Sequence, residues 1–238
     1  MASSGEKVQD APLLVGRSLD DAQRATISRV LELLAEERAS VSSVTDLERA
    51  WKVHVADSLT GLEVPALREA ERIADIGSGA GFPGLVLAVA LPHARVDLIE
   101  SVGRKCEFIQ RAIDTAKIPN AKILNLRSEE LAADPADRES YSAVTARAVG
   151  RLSTLAELAS PLLEERGVLV AWKGKRDEDE EAQLANAAPS LGMKPETTLP
   201  VGPYAGSQHR HLHVIRKIGF TPAKLPRRPG MAKKRPYG

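Results

Sequence analysis

The 238-residue sequence is poor in several things, and each shortage excludes a class of protein. A single cysteine, Cys106, rules out an internal disulfide and with it a disulfide-stapled fold. Cys106 reads as an ordinary helix position. No apolar run approaches the roughly 20 residues that a membrane span needs, and the opening residues lack the apolar core of a signal peptide. A cytoplasmic chain without a membrane partner is expected. Aromatic residues make up only 3% of the sequence, too few for a broad base-stacking platform on single-stranded nucleic acid. There is no internal repeat and no constellation of nucleophile, base and orienting acid. His209, His211 and His213 alternate as on one face of a strand, but without a cysteine or a convergent carboxylate beside them no metal site is expected.

Acids are missing from the C-terminal end. From Arg216 onward there are eight basic residues and none acidic, so the formal net charge of +1 conceals an acidic body, with 25 basic against 32 acidic residues, joined to a basic tail. Such asymmetry points to a polyanionic partner. Pro222, Pro226, Pro229 and Pro236 predict that residues 219–238 are extended and not helical.

The length suits one α/β domain with an appendage. Residues 1–19 are polar and aperiodic, and are expected to be disordered. From Asp20 to about Glu37, Ala22, Ala25, Ile27, Val30, Leu31, Leu33 and Leu34 recur at a helical period, and Leu47, Trp51, Val55 and Leu59 follow at four-residue spacing. These two helices are too short to enclose a core of their own, so residues 20–66 are expected to cap a domain over residues 67–218. His54 and Asp57, one turn apart on the second helix, are spaced to form an active pair, but read first as exposed or capping residues. Strand patterns at 95–100, 121–126, 142–146, 167–172, 193–199 and 210–215 then alternate with helical ones at 104–117 and 152–165, and the acid-rich run 175–181 opens a further helix. Alternation of this kind predicts a doubly wound, mostly parallel α/β sheet that binds its ligand at the carboxyl ends of the strands.

The chain is organised around the stretch that begins at Arg72. An apolar strand carries Asp75 near its end and runs into Gly77, Gly79, Gly81 and Gly84, ahead of the apolar run 85–91. The last three of these glycines match the dinucleotide fingerprint, and Glu100 lies at the distance of a ribose-binding acid. NAD and S-adenosylmethionine both fit this pattern. Asp75 separates them on charge, because a carboxylate beside the turn repels a pyrophosphate, whereas S-adenosylmethionine carries a sulfonium, an ammonium and no phosphate. Gly77, Gly79 and Gly81 let the backbone pass close under the methionine moiety.

A set of motifs resembles one known family. They are Asp-Ile-Gly-Ser-Gly-Ala-Gly-Phe-Pro-Gly at 75–84, Glu100-Ser101 with Arg104-Lys105 and Phe108, Arg127-Ser128-Glu129-Glu130, Ala146-Arg147-Ala148, Trp172-Lys173-Gly174-Lys175, Arg210-His211-Leu212 and Leu225-Pro226-Arg227-Arg228-Pro229-Gly230. From about Leu47 to the terminus the chain resembles the ribosomal RNA small subunit methyltransferase G family, also called GidB. The resemblance implies a Rossmann-like class I S-adenosylmethionine-dependent methyltransferase sheet. It further implies methylation of N7 of a guanine in the decoding region of small-subunit (16S) ribosomal RNA, as naked RNA or in the 30S particle. The family's cofactor positions fall on Gly77, Phe82, Ser128, Glu129 and Arg147; Asp75, Gly79 and Glu100 join them from the reading of the loop. Many members carry Asn-Leu-Thr ahead of the second helix, where this chain has Ala-Ser-Val-Ser-Ser-Val-Thr at 39–45.

Guanine N7 offers an in-plane lone pair and needs no general base, which leaves the enzyme alignment and charge stabilisation. Arg147 is the candidate catalytic group, able to meet guanine O6 or the cofactor carboxylate, with a structural ion pair as the alternative. Lys173, Lys175, Arg210 and His211, with Arg227 and Arg228 of the tail, are expected to hold RNA phosphate. The chain is expected to act as a monomer. An NAD-dependent oxidoreductase and a non-catalytic ribosomal RNA-binding assembly factor are the alternatives.

Overall fold

The computed structural model describes residues 19–37 and 46–237. The expected disorder of residues 1–19 and the departure at 39–45 therefore lie, Leu19 apart, outside the described residues. The strands are β1 (Arg72–Ile76), β2 (Arg95–Ile99), β3 (Ala121–Leu124), β4 (Tyr141–Arg147), β5 (Leu163–Lys173), β6 (Met193–Pro200) and β7 (His211–Lys217). The helices are α1 (Asp21–Glu36), α2 (Leu47–Ala50), α3 (Asp57–Leu59), α4 (Pro65–Arg68), α5 (Gly84–Ala90), α6 (Gly103–Ala116), α7 (Ser128–Leu131), α8 (Leu152–Ala159), α9 (Glu178–Ala187) and α10 (Met231–Lys234).

The strands form one sheet in the order β3-β2-β1-β4-β5-β7-β6. All run parallel except β7, which pairs antiparallel with both β5 and β6. Strand order reverses between β1 and β4, the switch point at which an open α/β sheet leaves a crevice. The expected Rossmann-like architecture is therefore present. Central strands covered by helices on both faces must be apolar throughout, and the alternation along β5 shows the division. Val168, Val170 and Trp172 join the core beneath α1, α5 and α6. Leu169 and Ala171 join the opposite core with α8 and α9.

A reciprocal capping box starts α1, in which the Gln23 amide donates to the Asp20 carboxylate at 2.8 Å and the Asp20 amide to the Gln23 side chain at 3.0 Å. The buried face Ile27, Val30, Leu31 and Leu34 belongs to the same core as Ile73 and Val96 of the sheet, so the N-terminal helices are continuous with the larger layer. The second helix departs from its sequence pattern. After α2 the chain makes a π-helical turn, Trp51–Ala56, before α3. The wider turn breaks the four-residue register and leaves Leu47 48% exposed.

Two further expectations are corrected. The helix read over 152–165 ends at Ala159, because Pro161 cannot donate to a continuing helix, and Leu163 already pairs with Tyr141 in the sheet. The tail is not uniformly extended. Between Pro229 and Pro236 it makes the short helix α10, and Leu225 and Ala232 are buried at 2% and 3% exposure.

Candidate active site

The turn from β1 to α5 is pinned to the neighbouring strand, since the Gly77 and Ser78 amides donate to the Ile99 carbonyl at 2.8 and 3.1 Å. Two glycines are required for different reasons. Gly77 adopts φ +67°, and a Cβ there would stand 2.7 Å from Val149. Gly84 has an ordinary φ, but a Cβ would come within 2.8 Å of the Asp75 carboxylate and of Leu98.

Asp75 lies fully buried beneath the loop. It accepts from the Thr145 hydroxyl at 2.8 Å and from the Gly84 amide at 3.1 Å. Burial pushes its carboxyl above the usual range, opposed by these hydrogen bonds and by the charge of Arg147. The expected direct contact between Asp75 and the cofactor is therefore corrected: the side chain is turned inward to order the turn. It still opposes a dinucleotide, by another route. Gly84 opens α5, so the carboxylate already takes one of the N-terminal amides on which a pyrophosphate would sit.

Above the loop, the ends of β2 and β3 and the side of α8 enclose a cavity of about 420 Å³. Gly77, Glu100, Ser128 and Glu129 line it, and Leu126, Val149 and Leu158 give it apolar walls. The volume is that of an ordinary small-molecule site. Glu100 is buried and held from both sides, accepting from the Val102 amide at 2.9 Å and from the Gly79 amide at 3.1 Å. Each carboxylate oxygen keeps a lone pair for a ribose hydroxyl. Glu129 sits at the start of α7, with one oxygen 3.3 Å from the Ser128 hydroxyl and the other accepting from the Gly230 amide at 2.8 Å. A diol acceptor beside a slot with apolar walls fits an adenosyl group.

Arg147 and Phe82 do not line this cavity. The Arg147 guanidinium donates to the Asp57 carboxylate at 3.0 Å and to the Val53 carbonyl at 3.2 Å, and stands 3.4 Å from Nδ1 of His54. Its centre is 6.0 Å from the ring of Phe82, on which His54 is stacked at 4.6 Å and 10°. Burial, reinforced by the Arg147 charge, lowers the His54 pKa to about 4. The π-helical turn supplies Val53 and His54 to this cluster. Asp57 is buried, so the expectation that His54 and Asp57 are exposed or capping residues is corrected: both face Arg147.

Arg147 opens onto a smaller groove of about 220 Å³, shared with Asp57, Trp172, Lys173, Gly174 and Arg210. Of the expected phosphate ligands, Lys175 and Arg228 are exposed and Arg210 is half-buried on the groove. His211 Nδ1 lies 2.9 Å from the Gly174 carbonyl. Two others are committed internally. Lys173 donates to Glu180 at 2.6 Å and to the Gly150 carbonyl at 3.0 Å. Arg227 forms a fork with the buried Glu157 at 2.5 and 2.6 Å. The sequence reading missed Asp57 as the partner of Arg147. It also missed Trp172, whose indole donates to the Asp57 carbonyl at 2.9 Å and to the Thr60 hydroxyl at 3.0 Å. A tryptophan at the carboxyl end of a central strand was the available signal. Among the described residues no group of His, Cys, Asp and Glu is arranged to hold a metal ion.

Residues 23–211 match the family model for rRNA small subunit methyltransferase G. A curated protein named ribosomal RNA small subunit methyltransferase G, from Pelotomaculum thermopropionicum, is 35% identical over 239 residues, covering 99% of this chain and 100% of its own. Another of that name, from Rubrobacter xylanophilus, is 40% identical over 209 residues, 87% of this chain and 80% of its own. Among solved structures, an MtNAS variant in complex with S-adenosylmethionine aligns with a TM-score of 0.54 at 12% identity, over 83% of this chain and 73% of that one, a likeness of fold alone.

Proposed function

Because the chain belongs to the rRNA small subunit methyltransferase G family, we propose that it transfers a methyl group from S-adenosylmethionine to N7 of a guanine in the decoding region of small-subunit ribosomal RNA, naked or assembled into a particle. It is a ribosomal RNA methyltransferase, and its cofactor is S-adenosylmethionine. When bound, the cofactor supplies an electrophilic methyl on a sulfonium.

One observation supports the site assignment above others. The Glu100 carboxylate is fixed by the amides of Gly79 and Val102 on a cavity whose other walls carry Gly77, Ser128 and Glu129. Glu100 takes the ribose hydroxyls, Ser128 and Glu129 border the base, and Gly77 and Gly79 pass beneath the methionine moiety. Asp75 holds that turn in shape from below.

On the substrate side, Arg147 has more donors than its contacts with Asp57 and Val53 use, and the remainder are available to guanine O6. The stacked pair His54 and Phe82 offers uncharged aromatic surface to a base that becomes cationic as it accepts the methyl. A neutral His54 adds no repelling charge, which its lowered pKa ensures at pH 7. Arg210 and Lys175 hold phosphate around the groove.

Incubation of the purified chain with labelled S-adenosylmethionine and unmethylated ribosomal RNA or small subunits tests this reading, with mass mapping of the modified nucleotide. One N7-methylated guanine is expected. Methylation at another atom would overturn the N7 assignment, and no transfer to any of these substrates would favour the assembly-factor reading.

A further inference from the structure

The C-terminal residues reach the cavity through a built path. The Leu225 side chain is buried and its carbonyl accepts from Arg138 at 2.8 Å. Arg227 is forked onto Glu157, which is only 3% exposed, and Arg227 and Lys224 lie over the ring of Tyr237 at 4.7 and 5.0 Å. Between these anchors α10 passes along the cavity, which Gly230, Ala232, Lys233 and Lys234 line opposite the glycine loop and Glu100. Gly230, at φ +82°, turns the chain so that its amide meets Glu129, and the Ala232 carbonyl accepts from Thr154 at 3.3 Å.

We infer that residues 229–234 form the outer wall of the cofactor site, with the Gly230 amide as the group that orients the Glu129 carboxylate. This inference rests on the cofactor assignment given above. It makes this part of the basic tail a component of cofactor binding and not a tether for RNA. Three features carry it. The segment is held by the ion pair of Arg227 with the buried Glu157 and by two buried apolar side chains, so its place over the cavity is structural. Its amide occupies one oxygen of Glu129, which the family resemblance places at the cofactor. Removing it would take away Gly230, Ala232, Lys233 and Lys234 from the lining of the cavity.

Linkage makes the inference measurable in two directions. If the wall strengthens ligand binding by some factor, the ligand stabilises the seated wall by the same factor. The probe is S-adenosylhomocysteine, the product expected from the cofactor. Hydrogen exchange on the full chain is expected to slow across residues 230–235 when the probe is bound. A chain ended after Arg228 keeps Leu225 and the fork to Glu157 and loses the wall; its Kd for the probe is expected to rise about tenfold or more, with faster release.

Unchanged exchange in the full chain overturns the inference, and needs no variant to fold. An unchanged Kd in a folded truncated chain overturns it too, as does loss of RNA affinity with probe affinity intact. Failure of the full chain to bind the probe would instead overturn the cofactor assignment.

Discussion

Asp75 is fully buried between β1, β4 and the start of α5. Its two hydrogen bonds join β1 to β4 through Thr145 and to α5 through Gly84, at a side chain fully shut off from solvent. Asp75→Ala is therefore expected to lower stability by about 2–4 kcal/mol, through two orphaned buried donors and a void. Asp75→Asn, which keeps an acceptor, is expected to cost less. Urea unfolding of the two variants checks this, and an alanine variant as stable as the parent would refute it. His54 makes a second residue-scale prediction. Its folded pKa of about 4 lies below the ordinary 6.5, so the unfolded chain binds the proton more readily between these values. Stability contributed by neutral His54 is present above pH 6.5 and is lost as pH falls towards 4. Arg147 and Phe82 are among the groups that face it, and Asp57 pairs with Arg147. His54→Gln is expected to flatten the stability profile across that window by about 1–2 kcal/mol, after allowance for partial solvent screening. Chemical denaturation at a series of pH values measures it.

Elements were legible where the pattern was local. Val96, Leu98 and Ile99 announce β2, and Phe108, Ile109 and Ile113 announce the buried face of α6. Even the site loop could be read, because φ > 0 at Gly77, Gly79 and Gly81 is a local demand that glycine meets. What escaped depended on partners far along the chain. Nothing near Arg227 declares that Glu157 will be buried opposite it, and nothing near Asp57 declares Arg147. The π-helical turn was hidden because its apolar residues still fell at a plausible helical spacing. The prediction at this scale concerns the fork. Arg227→Ala leaves the Glu157 carboxylate buried and unpaired, and is expected to lower stability by about 2 kcal/mol. It should leave the salt dependence of RNA binding unchanged, because its charge is already neutralised. A thermal scan and a salt series on the same variant separate this from a phosphate-binding role, in which stability would hold and the slope would fall.

Across the whole molecule, the basic excess of the C-terminal end divides between the fold and the cavity, and the cations nearest Arg147 come from the body of the chain. Arg227 is spent on the fold, Lys233 and Lys234 line the cavity that holds Glu100, Arg210 lines the groove of Arg147, and Lys175 is exposed next to Gly174 of that groove. Composition could show the excess of base but not its division, which depends on which cations meet a buried acid. RNA binding by Arg210→Ala and Lys175→Ala is expected to weaken, with the logarithmic salt slope reduced by about 1 for each phosphate no longer held. Lys173→Ala is expected to act on stability, through Glu180, and to leave the slope alone. Filter binding over a range of salt distinguishes them.

The two latches on the N-terminal helices also govern the order in which the molecule is completed. Asp57 is gripped by Arg147, 90 positions later, and the carbonyl of the same residue by the indole of Trp172, 115 positions later. During synthesis these helices emerge first and must wait for β4 and β5 before either latch can close. A nascent chain halted before Trp172 would leave the groove without its fastened N-terminal side. The groove proposed to receive RNA is thus completed late in translation, after the glycine loop between β1 and α5 has already emerged.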